Sequence, residues 1–150
     1  MLHHFFNQLS ASGARVGLVI SLVLLTACAS GPRWTEAEQA ALEERARERW
    51  ATLEARDFGA TWEFNSPAYR AVFPRELYVQ RFSYAVEWEL TEIEVLNYDR
   101  HAAVASVVAR VMSKPTKQTS SASVAIGATA SIISERWIYA DGEWWFSANY

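Results

Sequence analysis

The sequence predicts an α+β domain in which N-terminal helices pack on a curled, four-stranded antiparallel sheet. Apolar residues recur at helical spacing before about residue 82 and at every second position from residue 86 onward. The alternation reverses within two strands, which predicts bends or bulges that curl the sheet. A length of 150 residues favours one such domain, with the helices preceding the strands.

The first predicted helix begins at a capping box formed by Thr35 and Glu38. In such a box the hydroxyl accepts a hydrogen bond from the N–H three residues later, and the glutamate returns to the N-cap backbone. Four apolar residues then follow at helical spacing: Leu42, Ala46, Trp50 and Leu53. Two shorter helices are predicted next, one beginning at Ser66-Pro67 and one over residues 74–82.

Four strands are predicted after Ser83. In the first, the apolar positions change parity at Thr91, which indicates a β-bulge. The second strand covers residues 102–113, and the third runs from residue 124 to about 139 with a parity change between Ile132 and Ile133. The dipeptide Asp141-Gly142 closes a hairpin into the last strand.

A charge-free apolar run over residues 16–27 follows Arg15 and is typical of a secretory signal peptide. A helix needs about 20 apolar residues to cross a bilayer, so this shorter run does not favour a permanent span. The sequence therefore predicts a cleaved signal at residues 1–27, a linker at residues 28–34 and the folded domain at residues 35–150.

The four residues Leu25, Thr26, Ala27 and Cys28 resemble the lipobox of bacterial lipoproteins at every position. The resemblance implies that Cys28 becomes the first residue and carries acyl chains, including palmitate, that anchor it to a membrane. It also implies a location in the cell envelope, at the outer membrane facing the periplasm in a Gram-negative cell. The alternative is that Cys28 is a buried thiol in an ordinary helix.

The folded part resembles an NTF2-like domain, also called cystatin-like or SnoaL-type. The resemblance is carried by Arg49-Trp50, Leu53, Asp57-Phe58, Phe64, the run from Ser66 to Arg70, and the aromatic hairpin from Trp137 to Phe146. It implies a cone-shaped sheet around a cavity. Because domains of this kind include enzymes, ligand binders and accessory modules, the resemblance alone selects no activity.

Acid–base candidates are few. His101 and Asp99 could act as a base and its orienting partner, although an aspartate in a turn usually binds nearby backbone. Glu92 and Glu94 occupy the polar face of the first strand and would become candidates only if that face turned inward. The sequence therefore makes enzymatic activity uncertain and a non-catalytic role the leading interpretation.

Composition excludes several other classes. The net charge of −3 and the scattered basic residues argue against nucleic acid as a partner. One cysteine cannot form an internal disulfide, and the sequence holds no phosphate-binding loop or dinucleotide fingerprint. We expect no metal and no cofactor, since one histidine after residue 27 leaves mostly carboxylates as ligands.

The remaining feature is a set of aromatic residues that form either the core or an apolar pocket: Trp88, Trp137, Tyr139, Trp144 and Phe146. Trp145 has the opposite parity and is predicted to be exposed. The leading hypothesis is a membrane-anchored, non-catalytic module that binds a small apolar ligand or an envelope protein. The alternatives are an isomerase, dehydratase or hydrolase with an acid or base in the cavity, and a subunit of an envelope complex or homodimer.

Overall fold

The computed structural model describes residues 34–117, 121, 124 and 127–148. Its helices are α1 (Glu36–Glu54), α2 (Phe58–Trp62), α3 (Pro67–Val72) and α4 (Arg75–Val79). Its strands are β1 (Val86–Asp99), β2 (Val104–Pro115), β3 (Thr129–Ala140) and β4 (Glu143–Ser147). The predicted α+β class with four antiparallel strands is confirmed. The predicted signal segment and lipobox lie outside the described residues.

Helix α1 begins where the sequence predicts. The Thr35 hydroxyl accepts a hydrogen bond from the Glu38 N–H at 3.2 Å, and Glu38 accepts one from the Thr35 N–H at 2.8 Å. One face of the helix is buried, and it consists of Leu42, Ala46, Arg49, Trp50 and Leu53. The buried face packs on the sheet in a single core with Ile93, Val107 and Trp137.

The short helices follow in a compact series. The Asp57 carboxylate accepts a hydrogen bond from the Ala60 N–H at 2.8 Å and caps α2, a helix that the sequence did not predict because five residues are too few to show a period. Ser66 caps α3 with Pro67 at its first position, which confirms that prediction. Helix α4 ends at Val79, three residues earlier than predicted.

The sheet has the order β1-β2-β3-β4, and every neighbouring pair is antiparallel. Register shifts between Leu90 and Glu92 and between Val95 and Asn97 interrupt the β1–β2 pairing. The first shift confirms the bulge predicted at Thr91, and the second was not predicted. Because of the first shift, Trp88 and Leu90 share with Ile93 and Val95 the sheet face that packs on α1, here called the inner face.

Strand β3 corrects two predictions. It begins at Thr129, whereas Val124 is helical. Its register with β2 is continuous from Thr129 to Ile138, so no parity change occurs between Ile132 and Ile133. Odd-numbered residues therefore face inward along the whole pairing, and Ile132 lies on the outer face with 65% of its surface exposed.

The β3–β4 hairpin has the predicted turn. Asp141 and Gly142 adopt φ angles of 55° and 83°, as a two-residue type I′ turn requires. The prediction that Trp145 is exposed was wrong, because only 8% of this residue is accessible. The guanidinium groups of Arg70 and Arg45 lie 5.4 Å and 6.0 Å from its ring and cover it.

The capping box makes stability depend on acidity. The backbone N–H of Thr35, then its hydroxyl, and beyond them the Arg100 guanidinium hold the pKa of Glu38 below its ordinary value of 4.5. A carboxylate with a lowered folded-state pKa stabilises the fold above the unfolded-state pKa, and this contribution is lost as the pH falls through the lowered value. We therefore expect the Glu38→Gln variant to lose stability at neutral pH and to show a smaller decrease on acidification than the natural protein.

Urea denaturation at several pH values between 7 and about 3 measures this difference, because the slope of stability against pH reports proton uptake. Glu36→Gln, in the same first turn, is the matched control and should keep the natural pH slope. An unchanged slope in Glu38→Gln would contradict the assigned role of the capping carboxylate.

Candidate functional site beside a buried ion pair

A buried ion pair joins α1 to β3. The Arg49 Nη1 atom lies 2.6 Å from Glu135 Oε1, and the two side chains are 7% and 2% exposed. Arg49 lies on the buried face of α1 between Ala46 and Leu53, and Glu135 occupies an inward position of β3. The helix and the strand therefore meet through opposite charges in an otherwise apolar interface.

Two aromatic rings complete the surroundings of the pair. Trp137 Nε1 donates a hydrogen bond to Glu135 Oε2 at 2.9 Å, so each carboxylate oxygen has a donor. The Arg49 guanidinium carbon lies 3.7 Å from the centroid of the Phe146 ring, at the distance of a cation–π contact. These contacts fix the position of both charges, which buried charges require if they are to be tolerated.

An apolar cavity of about 180 Å³, here called the inner pocket, lies against the pair. Its lining consists mostly of apolar side chains from α1, the sheet and the segment after α4: Arg49, Trp50, Leu53, Phe82, Trp88, Ile133, Ser134, Glu135 and Phe146. An apolar cavity of about 150 Å³ is known to hold benzene. The inner pocket is therefore large enough for one aromatic ring or a short branched chain.

A second cavity of about 250 Å³, here called the arginine pocket, is lined by Arg49, Tyr78, Arg81, Phe82, Phe146 and Ala148. It shares Arg49, Phe82 and Phe146 with the inner pocket, so the two cavities are neighbours. Arg81 is exposed, and within the described part of the chain it forms no ion pair. The arginine pocket therefore has positive charge that the lining does not neutralise.

Two buried N–H groups on the lining residues lack acceptors. Within the described residues, Arg49 Nε and Trp50 Nε1 have no hydrogen-bond partner. A buried donor without an acceptor costs about 1–3 kcal/mol, and most buried polar groups in proteins are paired. Both unsatisfied donors thus belong to residues that line the inner pocket.

The aromatic candidates from the sequence divide into two groups. Trp88 and Phe146 line the inner pocket, and Trp137 is fully buried and binds Glu135. Tyr139 and Trp144 instead pack on each other, with ring centroids 5.0 Å apart. Trp144 also contacts Trp34 and Tyr98, and neither Tyr139 nor Trp144 lines either pocket.

The acid–base candidates lie elsewhere. Glu92 and Glu94 are exposed on the outer face, where Arg110 lies 2.9 Å and 3.2 Å from their carboxylates. The Asp99 carboxylate accepts hydrogen bonds from the backbone N–H groups of His101 and Ala102, as expected of an aspartate in a turn. His101 is exposed, and none of these four candidates lines the inner pocket or the arginine pocket.

Glu135 is not among the site residues that the sequence predicts. A signal was present, because Ile133, Glu135 and Trp137 share one parity and therefore one face of a strand. A charge at an inward position implies a buried partner of opposite sign. Arg49, which falls on the apolar face of the first helix, is the residue that this argument could have found.

Two further findings concern metals and membranes. Among the described residues, no three His, Cys, Asp or Glu side chains come together as metal ligands. In the same part of the chain, no helix has both the length and the apolar character to cross a membrane. The acyl anchor on Cys28 and the envelope location concern residues outside the described part and stay predictions.

No family model matches the chain, and no curated protein matches it. Among solved structures, the chain is similar to a SEC-C motif containing protein from Rhodopseudomonas palustris, with 19% identity, a TM-score of 0.48, and coverage of 73% of this chain and 77% of the other.

These comparisons correct the resemblance drawn from the sequence. No family model and no curated protein returns a lipobox lipoprotein or an NTF2-like domain. The assignment to those two families was therefore wrong. The NTF2-like resemblance was based on residues of the helices and on an aromatic hairpin, and such features specify local packing in many unrelated domains. The predicted α+β class with a four-stranded antiparallel sheet remains confirmed.

The ion pair should dominate the response of the fold to substitution. Glu135→Leu leaves the Arg49 charge buried without its partner, so we expect the free energy of unfolding to fall by about 3–5 kcal/mol. The double variant Arg49→Met/Glu135→Leu removes both charges and should recover most of that loss. Urea denaturation of the natural protein, both single variants and the double variant gives the coupling free energy.

Glu94→Leu is the matched control, because it removes one partner of an exposed pair with Arg110. It should change the free energy of unfolding by less than about 1 kcal/mol. A Glu135→Leu variant as stable as Glu94→Leu would show that the buried pair does not hold the helix on the sheet.

Proposed function

We propose that this domain is a non-catalytic binding module that holds a small apolar ligand in the inner pocket. The observation that carries the proposal is the pocket itself, a concave apolar space of about 180 Å³ between α1 and the sheet. Binding sites for small molecules are concave and mostly apolar, with a few polar groups that fix orientation. The inner pocket has this composition, since its polar groups are concentrated around Arg49 and Glu135.

The walls of the pocket favour a preformed site. Trp50 and Trp88 contact each other edge to face with centroids 6.2 Å apart, and Phe82 stacks on Phe58 at 4.5 Å. Phe146 is held under the Arg49 guanidinium. Rings positioned in this way lose little freedom when a ligand enters, which favours affinity.

The state of Glu135 favours binding over catalysis. This carboxylate lines the inner pocket, and both of its oxygens already accept hydrogen bonds, from Arg49 and from Trp137. A general base must be within reach of the proton that it removes and free to accept it. We therefore assign Glu135 a structural role in holding the pocket open.

Toluene is a suitable probe, because it is one ring with one methyl group and has no polar atom. We expect saturable binding to the full chain, with nuclear Overhauser contacts between toluene protons and the methyl groups of Leu53 and Ile133. Ile133→Phe fills the pocket and should abolish these contacts. Ile132→Phe places the same ring on the outer face and should leave them unchanged.

Circular dichroism and the melting temperature of each variant separate loss of binding from loss of folding. The contacts in the natural protein test the proposal even if Ile133→Phe does not fold. Toluene that fails to saturate, or that contacts the methyl groups of Ile132 and Ile133 equally, would overturn the proposed function.

A further inference from the structure

We propose that the natural ligand is a small carboxylic acid whose apolar part fills the inner pocket and whose carboxylate binds Arg49 and Arg81 in the arginine pocket. The inference rests on the proposed function, because the apolar part must enter the inner pocket. It adds the charge and the chemical class of the ligand, which the apolar walls alone do not determine.

The hydrogen bonding of the Arg49 guanidinium is incomplete. The side chain is 7% exposed, and its Nη1 atom is used by Glu135. Its Nε atom is buried and, within the described part of the chain, has no acceptor. Arg49 lines both cavities, so a shift of its side chain that exposes Nε would let an oxygen of a bound molecule supply the missing acceptor. Nearly all buried donors in proteins are satisfied by some partner.

The residues that line the arginine pocket carry excess positive charge. The lining residues of the arginine pocket include two arginines and no aspartate or glutamate. Glu135 balances the charge of Arg49 from the side of the inner pocket, whereas Arg81 forms no ion pair among the described residues. Guanidinium groups bind carboxylates through charge-assisted hydrogen bonds, which are stronger than bonds between neutral groups. The excess positive charge therefore favours an anionic head group over a neutral one.

The charges of the site disfavour a cationic ligand. An amine would need a free carboxylate, and Glu135 is the acid of the inner pocket. Its two oxygens already accept hydrogen bonds at 2.6 Å and 2.9 Å. An amine in the arginine pocket would also lie beside Arg81, and like charges repel each other. The site thus selects against positive charge.

The two cavities lie side by side and share lining residues. Phe82 and Phe146 line both of them, so a molecule can contact the same two rings while its ends occupy different cavities. The inner pocket holds about one aromatic ring. An arylalkanoic or short branched alkanoic acid has these two parts in this order.

Three probes of similar shape test the inference on the full chain: phenylacetate, phenylacetamide and toluene. The amide keeps an acceptor oxygen and loses the charge, and toluene loses both. We expect phenylacetate to bind at least about tenfold more tightly than phenylacetamide, as stronger charge-assisted bonds imply. Isothermal titration calorimetry at pH 7 measures all three affinities.

Arg81→Gln removes the unpaired charge from an exposed position and should still fold. In this variant the preference for phenylacetate over phenylacetamide should fall to about twofold or less. Arg136→Gln removes an exposed arginine from the outer face of β3 and is the matched control, so the natural preference should persist.

The outcomes separate the two proposals. Equal affinities for phenylacetate and phenylacetamide, or a preference unaffected by Arg81→Gln, would overturn the carboxylate inference and leave the apolar binding site in place. Binding of none of the three probes would overturn the proposed function and the inference together. Tighter binding of toluene than of phenylacetate would support the apolar site and refute the charged head group.

Discussion

The contact between Arg49 and Glu135 determines how the helical layer sits on the sheet. Removing two charges from water is costly, and the cost is offset only when the geometry is good and the remaining polar atoms are bonded. Here the carboxylate is bonded on both oxygens and the guanidinium lies on an aromatic ring, whereas Arg49 Nε has no acceptor among the described residues. A hydrogen-bonded ion pair requires a specific separation of its atoms, so this contact constrains the spacing between α1 and β3 beside the inner pocket.

Most of the fold could be predicted from local chemistry. The capping box of α1, the Ser-Pro start of α3, the bulge at Thr91 and the Asp-Gly hairpin each depend on residues close together in the chain, and each is confirmed. The errors arose where local pattern was weak. Helix α2 is too short to show a period, and the second bulge of β1, after Val95, leaves no clear mark in the sequence. The burial of Trp145 depends on arginines from distant segments.

The site was less accessible to sequence reasoning, for two physical reasons. Glu135 is a single charge in the inward series of β3, and the sequence of the strand does not identify its partner far away in the chain. Arg49 was hidden among the charges of the first helix, where most arginines and glutamates are solvent-exposed. Trp88 and Phe146 could be proposed because aromatic residues on an inward strand face must lie in a core or a pocket. The choice between these two needs the distances between elements that are far apart in the chain.

Phe82 lines the site from a segment outside α1 and the sheet. It lines both cavities, yet it belongs to the segment after α4 and stacks on Phe58 at the start of α2. The remaining walls of the inner pocket come from α1 and the strands, which also carry the core. Substitutions at Phe58 and Phe82 can therefore change the shape of the inner pocket while the strand pairing is preserved. Selectivity for a bound molecule can then diverge between descendants of this chain without a change of fold.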